Sequence, residues 1–353
     1  MSLAELSAEN VRCIERADIE LHPQRNLLWG PNGSGKTSLL EAVFLLGRGR
    51  SFRTRNSERL IRQGQAKLTC FGRTTASPIE KTIGVQIARG APTVARIGGA
   101  AVETLADLSE VFPVQVIDPG THKLVEEGSY RRRRWMDWAV FHVEHGFVQD
   151  WARYTRALRQ RNAALRTQPD HATAWDPELV RLGERITELR RASLERLQPF
   201  WGEVERRLVG LDVQLSFSQG WSRELELAGA LTASVERDRA RGATQAGPHR
   251  ADVLVRRAGA PARDSLSRGQ QKLVAVAMIL AQLQMLRATV GVRPALLLDD
   301  PAAELDAAHV EAFIREVNEL HCQLVLTSLV PEYTPFGRAD RAFHVERGTA
   351  RPV

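Results

Sequence analysis

The spacing of apolar positions changes period twice along the chain. Residues 2–29 read as strands: 3–10 runs into Val11-Arg12-Cys13-Ile14, and Ala17-Asp18-Ile19-Glu20-Leu21 alternates at period two. Asn26-Leu27-Leu28-Trp29 is a short apolar strand, and Ser38-Leu39-Leu40-Glu41-Ala42-Val43-Phe44-Leu45-Leu46 reads as a buried helix. Over 66–97 the apolar segments are short and strand-like, broken by Gly72, Pro78, Gly84 and Gly90. Residues 111–117 form another apolar strand, closed by Asp118-Pro119-Gly120.

The character changes near Thr121, and from Ser129 to about Leu211 the chain reads as mostly helical and very arginine-rich. Trp138, Val140, Phe141 and Val148 recur at helical spacing, followed by Tyr154, Leu158, Arg161 and Leu165. Leu182, Ile186, Leu189, Leu194 and Leu197 make a second amphipathic stretch, predicted to stop at Pro199, with Gln168-Pro169-Asp170 as the turn between the two. This predicts an antiparallel helical insertion, too short for a long coiled coil. After Ala246 strand patterning returns in Ala251-Asp252-Val253-Leu254-Val255, and 273–286 reads as a long buried helix. Ala295-Leu296-Leu297-Leu298 is an apolar strand ending in Asp299-Asp300, and Gln323-Leu324-Val325-Leu326-Thr327-Ser328 is predicted as the last core strand.

Between the strand at 26–29 and its helix lies Gly30-Pro31-Asn32-Gly33-Ser34-Gly35-Lys36-Thr37, with Ser38 next. It fits G-x-x-x-x-G-K-[ST], and the order strand, glycine loop, helix is what that motif requires. The glycines let backbone N–H groups converge on an anion, and the helix adds its positive N-terminal end. Lys36 is placed to reach the β- and γ-phosphates of a nucleotide, and the Thr37 hydroxyl to sit on Mg²⁺. An apolar strand ending in acid supplies the other half of a hydrolysis site. Asp299 is the candidate for the Mg²⁺ shell, and Asp300 for orienting or deprotonating the attacking water.

Composition narrows the class. The 353 residues are 43% apolar and 26% charged, which suits a soluble globular protein with room for two domains. Met1-Ser2-Leu3-Ala4-Glu5 has neither the basic nor the apolar region of a secretory signal, and no apolar run is read as a membrane span. Cys13, Cys70 and Cys322 lie far apart, suggesting neither a disulfide framework nor zinc, and a cytoplasmic setting is expected. His142-Val143-Glu144-His145 has no further ligands to complete a metal site. The net charge of +7 favours a polyanionic partner. Two basic clusters, Arg48, Arg50, Arg53 and Arg55, then Arg131, Arg132, Arg133 and Arg134, are either solvated faces or phosphate contacts to DNA.

Further residues carry a resemblance. Leu266-Ser267-Arg268-Gly269-Gln270 resembles the signature motif of ABC-type ATPases, and Ala303-Glu304-Leu305-Asp306 resembles their D-loop. Order and spacing are similar to those of the compact SMC and Rad50 heads, and most similar to the RecF family of bacterial recombination mediators. The phosphate loop, Gly49-Arg50-Ser51-Phe52-Arg53, Tyr130 to Arg134, Gln160-Arg161-Asn162 with Leu165, Gly247-Pro248-His249-Arg250 with Asp252, and the acidic strand end all look like that family. The resemblance covers essentially the whole chain. It implies an α/β fold: an ABC/SMC-like P-loop ATPase head (1–122 and 246–353) with a mainly helical, arginine-rich second lobe (123–245).

The resemblance also implies a DNA-binding protein of replication and recombinational repair with weak, DNA-stimulated ATP hydrolysis and no motor role. ATP would bring two copies together as a homodimer, with Ser267, Gly269 and Gln270 of each meeting the other's nucleotide and Asp306 in the D-loop. The dimer is expected to hold duplex DNA, single strands and their junctions, and with RecR and RecO to assist RecA loading at gaps, supporting SOS induction. There are departures. Arg268 replaces a signature glycine, Asp300 replaces the glutamate usual in transporters, and Thr327 or Ser328 stands where a switch histidine would be. A transporter ATPase subunit is the rival class, and the arginine-rich insertion argues against it. A small-molecule P-loop kinase has no use for the signature segment, and a structural chromosome protein would need long heptad arms.

Overall fold

The strands predicted at the N-terminus pair with each other across a tight turn. In the computed structural model, which describes residues 2–75, 80–301, 307–331 and 336–353, Ser2–Val11 runs antiparallel to both Ile14–Glu20 and Lys67–Thr75. Lys81–Ala88, Val94–Ile97 and Ala100–Ala101 extend this first sheet on the Lys67–Thr75 side. Contacts divide the chain into two units, residues 1–121 with 291–353, and residues 122–290.

The first unit holds a second sheet, in the order Thr349–Pro352, Arg341–Glu346, Arg25–Trp29, Leu324–Ser328, Ala295–Leu298, Val114–Ile117. All neighbours are parallel except the terminal hairpin. Ala295–Leu298 and Leu324–Ser328 are buried at every position, as central parallel strands covered on both faces must be. The helix Lys36–Arg48 packs on strands of both sheets, and its leucines join one apolar core with Leu3, Leu6, Val85, Leu297, Phe343 and Val345. Buried amides tie the sheets together. Gln323 Oε1 accepts from Leu3 N and its Nε2 donates to Leu3 O, both at 2.8 Å, so the side chain continues the backbone ladder of Ser2–Val11.

Two expectations are corrected. The strand at 324–328 is not the last of the core, because Arg341–Glu346 pairs parallel with Arg25–Trp29 and buries Phe343 and Val345. The other face carries Ala342, His344 and Glu346, and the buried face opens with the exposed Arg341, so the apolar pattern is about half that of its neighbours. Pro199 does not end the second long helix, which spans Asp176–Val204 with the proline inside and runs on into a π turn, Glu205–Val209. An interior proline costs roughly 3 kcal/mol, yet Leu197, Trp201, Val204 and Leu208 continue one buried stripe across it. Burying four large apolar side chains at about 1.5–3 kcal/mol each exceeds that cost.

The second unit consists of Ser129–Val143, Phe147–Thr167, Asp176–Val204, Leu227–Arg241 and Arg268–Val290, with a three-stranded antiparallel sheet of Ala260–Pro261, Asp252–Arg257 and Val213–Ser218. Arg268–Val290 is long and apolar enough to cross a membrane by length and composition, unlike the expectation from sequence. It is buried along most of its length, as a core helix is. Arginines enter this interior by pairing. Arg161, fully buried, donates to Asp176 Oδ1 at 2.7 Å, Asp238 Oδ2 at 2.6 Å and Thr244 Oγ1 at 2.9 Å. Arg190, also fully buried, is bidentate on Asp137 and stands 4.8 Å from the Trp151 ring centroid.

Removing one member of such a network strands the others. Arg161→Met leaves the fully buried Asp238 without its cation, so chemical denaturation should show a loss of about 3–5 kcal/mol. A loss below about 1 kcal/mol, the scale of an exposed pair, would show that the network contributes nothing special.

Candidate nucleotide-binding site

The loop at 30–35 leaves the strand Arg25–Trp29 and enters the helix Lys36–Arg48 at Gly35. Its glycines are required by crowding as much as by torsion. Gly30 has φ 150°, and a Cβ there would lie 2.2 Å from Val345 O; Gly35, at φ 116°, is the helix N-cap. The turn after Arg341–Glu346 braces the loop, with Gly348 N donating to Ser34 O at 2.8 Å. Lys36 Nζ donates to Gly30 O at 2.7 Å and Pro31 O at 2.9 Å, so the ammonium lies across the loop. Burial pulls its pKa down, opposed by Asp299 and Asp300.

The donor set fits a phosphate group. The helix has no side-chain cap and no acid in its first turn, so its leading N–H groups are left for another acceptor. The buried Ser34 hydroxyl has no partner among the described residues, and a Cβ at Gly33 would meet nothing within 4 Å. The loop therefore offers donors, a cation and open space together.

Acid and hydroxyls meet beside it. Thr37 Oγ1 donates to Asp299 at 3.0 and 3.1 Å to the two carboxylate oxygens, and Thr327 Oγ1 donates to Oδ1 at 3.0 Å. Thr327 in turn accepts the Asp300 N–H at 2.9 Å. The hydroxyl expected near a switch position therefore holds both acids, which the sequence did not disclose. Asp300 is exposed, with φ 50°, a left-handed conformation uncommon outside glycine. Loss of solvation holds the Asp299 carboxyl above the usual range; the Thr37 and Thr327 hydrogen bonds and Arg53 oppose the rise, and Asp118 adds to it.

A second acid escaped notice as well. Glu41, fully buried in the loop's helix, accepts Arg12 Nε at 2.7 Å, Arg12 Nη2 at 2.9 Å and Ser51 Oγ at 2.5 Å, with Arg53 3.6 Å away. A glutamate inside an apolar helix run was the available signal.

The remaining candidates are dispersed. Arg48 and Arg50 are half-buried, the Arg48 guanidinium 5.7 Å from the Phe44 ring centroid, while Arg53 and Arg55 are exposed. Arg131 pairs with Glu127 at 2.5 Å, and Arg134 leans on the exposed Tyr130 ring. Arg132 is a correction to the basic surface. It is buried, bidentate on Asp252 at 2.8 Å, and donates to the carbonyls of Leu124, Val125 and Glu127. In the second unit Ser267 and Gln270 form a reciprocal capping box at the start of Arg268–Val290: Ser267 N to Gln270 Oε1 at 3.0 Å, Gln270 N to Ser267 Oγ at 3.3 Å. Ser267 is exposed, with Gly269 beside it on the first turn. Residues 303–306, including Asp306, lie outside the described residues.

The raised Asp299 carboxyl gives a signed prediction. Ionised Asp299 is penalised in the folded chain above its folded pKa, and the penalty vanishes below the unfolded carboxyl range. Asn keeps an oxygen acceptor for Thr37 and Thr327 without the charge. At neutral pH Asp299→Asn should melt no lower than the parent, and any gain should fade as pH falls through the folded carboxyl pKa. A clearly lower Tm at neutral pH would overturn the sign.

Known proteins resemble the chain along its whole length. The family described as RecF/RecN/SMC N terminal domain matches residues 2–349. A DNA replication and repair protein RecF of Shewanella loihica (strain ATCC BAA-1088 / PV-4) is 38% identical over 360 residues, which is 99% of this chain and 98% of that one. Its namesake in Shewanella sp. (strain W3-18-1) is 37% identical over 362 residues, 100% of each. A solved structure of the recombination mediator protein RecF-ATP in RecFOR pathway superposes with a TM-score of 0.89 at 25% identity, covering 100% of this chain and 97% of that one. The SmcHead bound to the C-winged helix domain of ScpA shares the fold, at TM-score 0.59 and 13% identity over 100% and 97% of the two chains. Matched from end to end in sequence and in its α/β head architecture, the chain belongs to the RecF family of the RecF/RecN/SMC group.

Proposed function

We propose that this chain is an ATP-binding protein of DNA replication and recombinational repair that uses nucleotide to control its hold on DNA. The observation that carries the reading is the convergence of Thr37 and Thr327 on Asp299 beside a donor-rich loop. The relatives named for DNA replication and repair, and the RecF-ATP structure, support it. In this reading Lys36 and the N–H groups of 30–38 neutralise the nucleotide phosphates. Thr37 and Asp299 would hold Mg²⁺, and Asp300 would orient or deprotonate the water that attacks. Mg²⁺ supplies charge neutralisation of the phosphates. An aspartate at that position has shorter reach than a glutamate, consistent with weak, DNA-stimulated hydrolysis.

The exposed cap of Arg268–Val290 is read as the second half of the site. Ser267, Gly269 and Gln270 of one copy would meet the nucleotide of another, so ATP drives homodimerisation, with Asp306 of the D-loop at the same interface. The exposed arginines Arg53 and Arg55, with Arg48, Arg50, Arg131 and Arg134, are proposed phosphate contacts for duplex, single-stranded and junction DNA. RecR and RecO are the proposed partners in loading RecA at gaps and supporting SOS induction, in the cytoplasm. Contacts to backbone phosphate make affinity fall steeply with salt and depend little on base sequence.

Three substitutions test this. Lys36→Met should abolish ATP binding in equilibrium titration; full turnover in this variant would refute the loop assignment. Asp300→Asn should bind ATP with parental affinity yet hydrolyse it at least about tenfold more slowly, a loss of roughly 1.4 kcal/mol or more in the barrier. Ser267→Arg should lose about 1 kcal/mol of stability with its cap and still bind ATP. Sedimentation should then find no ATP-driven dimer, and an ATP-dependent dimer of parental affinity would sink the trans contact.

A further inference from the structure

The buried guanidinium groups of the second unit pair closely with carboxylates, and half-buried Arg133 stands beside them unpaired. Asp252 is occupied by Arg132, Asp137 by Arg190, and Arg161 is shared between Asp176 and Asp238. Arg133 sits among them, half-buried, with no carboxylate within ion-pair distance among the described residues. Its Nη1 donates to two neutral acceptors, Ser129 Oγ and the Ala251 carbonyl, both at 2.6 Å. Burial, then the neighbouring Arg190, holds its pKa below the usual guanidinium range, and the pull of Asp252 and Asp137 does not cancel this. A charge partly removed from water favours a counter-charge in direct contact, and among the described residues no carboxylate is close enough to pair with Arg133.

Arg133 lines a cavity of about 430 Å³ with Ser129, Asn162, Thr244, His249 and Arg250, and no carboxylate lines it. Asn162 Oδ1 is committed to Thr244 N at 2.8 Å and Thr244 Oγ1 at 2.7 Å, which leaves its amide hydrogens as donors. Ser129 Oγ accepts from Arg133 and keeps its own hydrogen to donate. His249 adds no charge: its Nε2 donates to Thr244 O at 3.0 Å, its Nδ1 accepts from Tyr154 O–H at 2.8 Å, and burial brings its pKa down to about 4. Arg250, exposed and bonded to Gln245 Oε1 at 3.2 Å, brings a second guanidinium to the rim.

We propose that this cavity binds a single phosphate group, held by the Arg133 and Arg250 guanidinium groups with the Asn162 amide and the Ser129 hydroxyl. Two guanidinium charges with two neutral donors around one cavity match the charge and the several oxygens of a phosphate better than the single charge of a carboxylate. The phosphate is either free or a backbone phosphodiester of nucleic acid. The site lies within residues 122–290 and does not depend on the nucleotide reading of the loop at 30–37.

Inorganic phosphate, titrated into the full chain carrying Lys36→Met to silence that loop, is the first probe. The Tm should rise saturably, against sodium chloride at equal ionic strength and against acetate. Arg133→Gln should weaken the response about tenfold, the scale of one charge-assisted hydrogen bond, with circular dichroism confirming the fold. Should that variant fail to fold, Arg250→Ala, at an exposed position, decides by the same measure. A response that chloride or acetate reproduces, or that survives the substitutions, overturns the proposal. A labelled short duplex then identifies the source. Displacement by phosphate beyond the salt control, lost in Arg133→Gln, assigns the backbone phosphodiester; a Tm response with no displacement assigns free phosphate.

Discussion

One half-buried carboxylate holds the ends of three parallel strands in register. Asp299 follows directly on Ala295–Leu298, Thr327 belongs to the adjoining Leu324–Ser328, and Thr37 lies in the first turn of the helix that follows Arg25–Trp29. Two hydroxyl donors on one acceptor fix where the loop stands relative to the acid, to within hydrogen-bond tolerance. The arrangement is poised rather than relaxed, because the same carboxylate is under-solvated and close to Asp118. A cation would remove that tension, so the features that strain the bare site are those that prepare it for a metal.

Glu41 plays the complementary part on the other side of the helix. A glutamate among leucines is unfavourable unless paired, and Arg12, from the turn between the first two strands, pairs it bidentately. Ser51 completes the set from the arginine-rich loop, so that loop is anchored to the helix of the phosphate cradle. Movement of Arg53, which touches Glu41 and bears on Asp299, is thereby coupled to both acids.

Contiguous features were legible from sequence, and features assembled from distant segments were not. The phosphate loop lies within eight residues whose chemistry is local, and the strand before Asp299 is apolar throughout, so both were readable. The arginine run shows the opposite. Arg132 and Arg133 are neighbours of one type, yet one is bidentate on Asp252 and the other bonds only neutral oxygens. Helical rotation turns them apart, and the carboxylate that separates their fates lies far along the chain. Pro199 misled because propensity acts on one residue while burial acts on the whole stripe. The strand Arg341–Glu346 was missed because an outer strand shows only half an apolar face. Thr327 could not be given its role without knowing which acid stands beside it.

The connectivity of the first unit has a consequence for the order in which the molecule is made. Arg25–Trp29 emerges early from the ribosome, but its two sheet neighbours, Leu324–Ser328 and Arg341–Glu346, come from the far end of the sequence. Residues 122–290 are contiguous and can close their own core in the meantime. The strand that carries the phosphate loop must therefore wait, with its edges unpaired, through most of translation. Such long-range parallel pairing is slow to form and exposes hydrogen-bonding edges to other chains. The nucleotide cradle is thus a late product of folding, and a chain that stalls before its final strands has a loop sequence but no cradle.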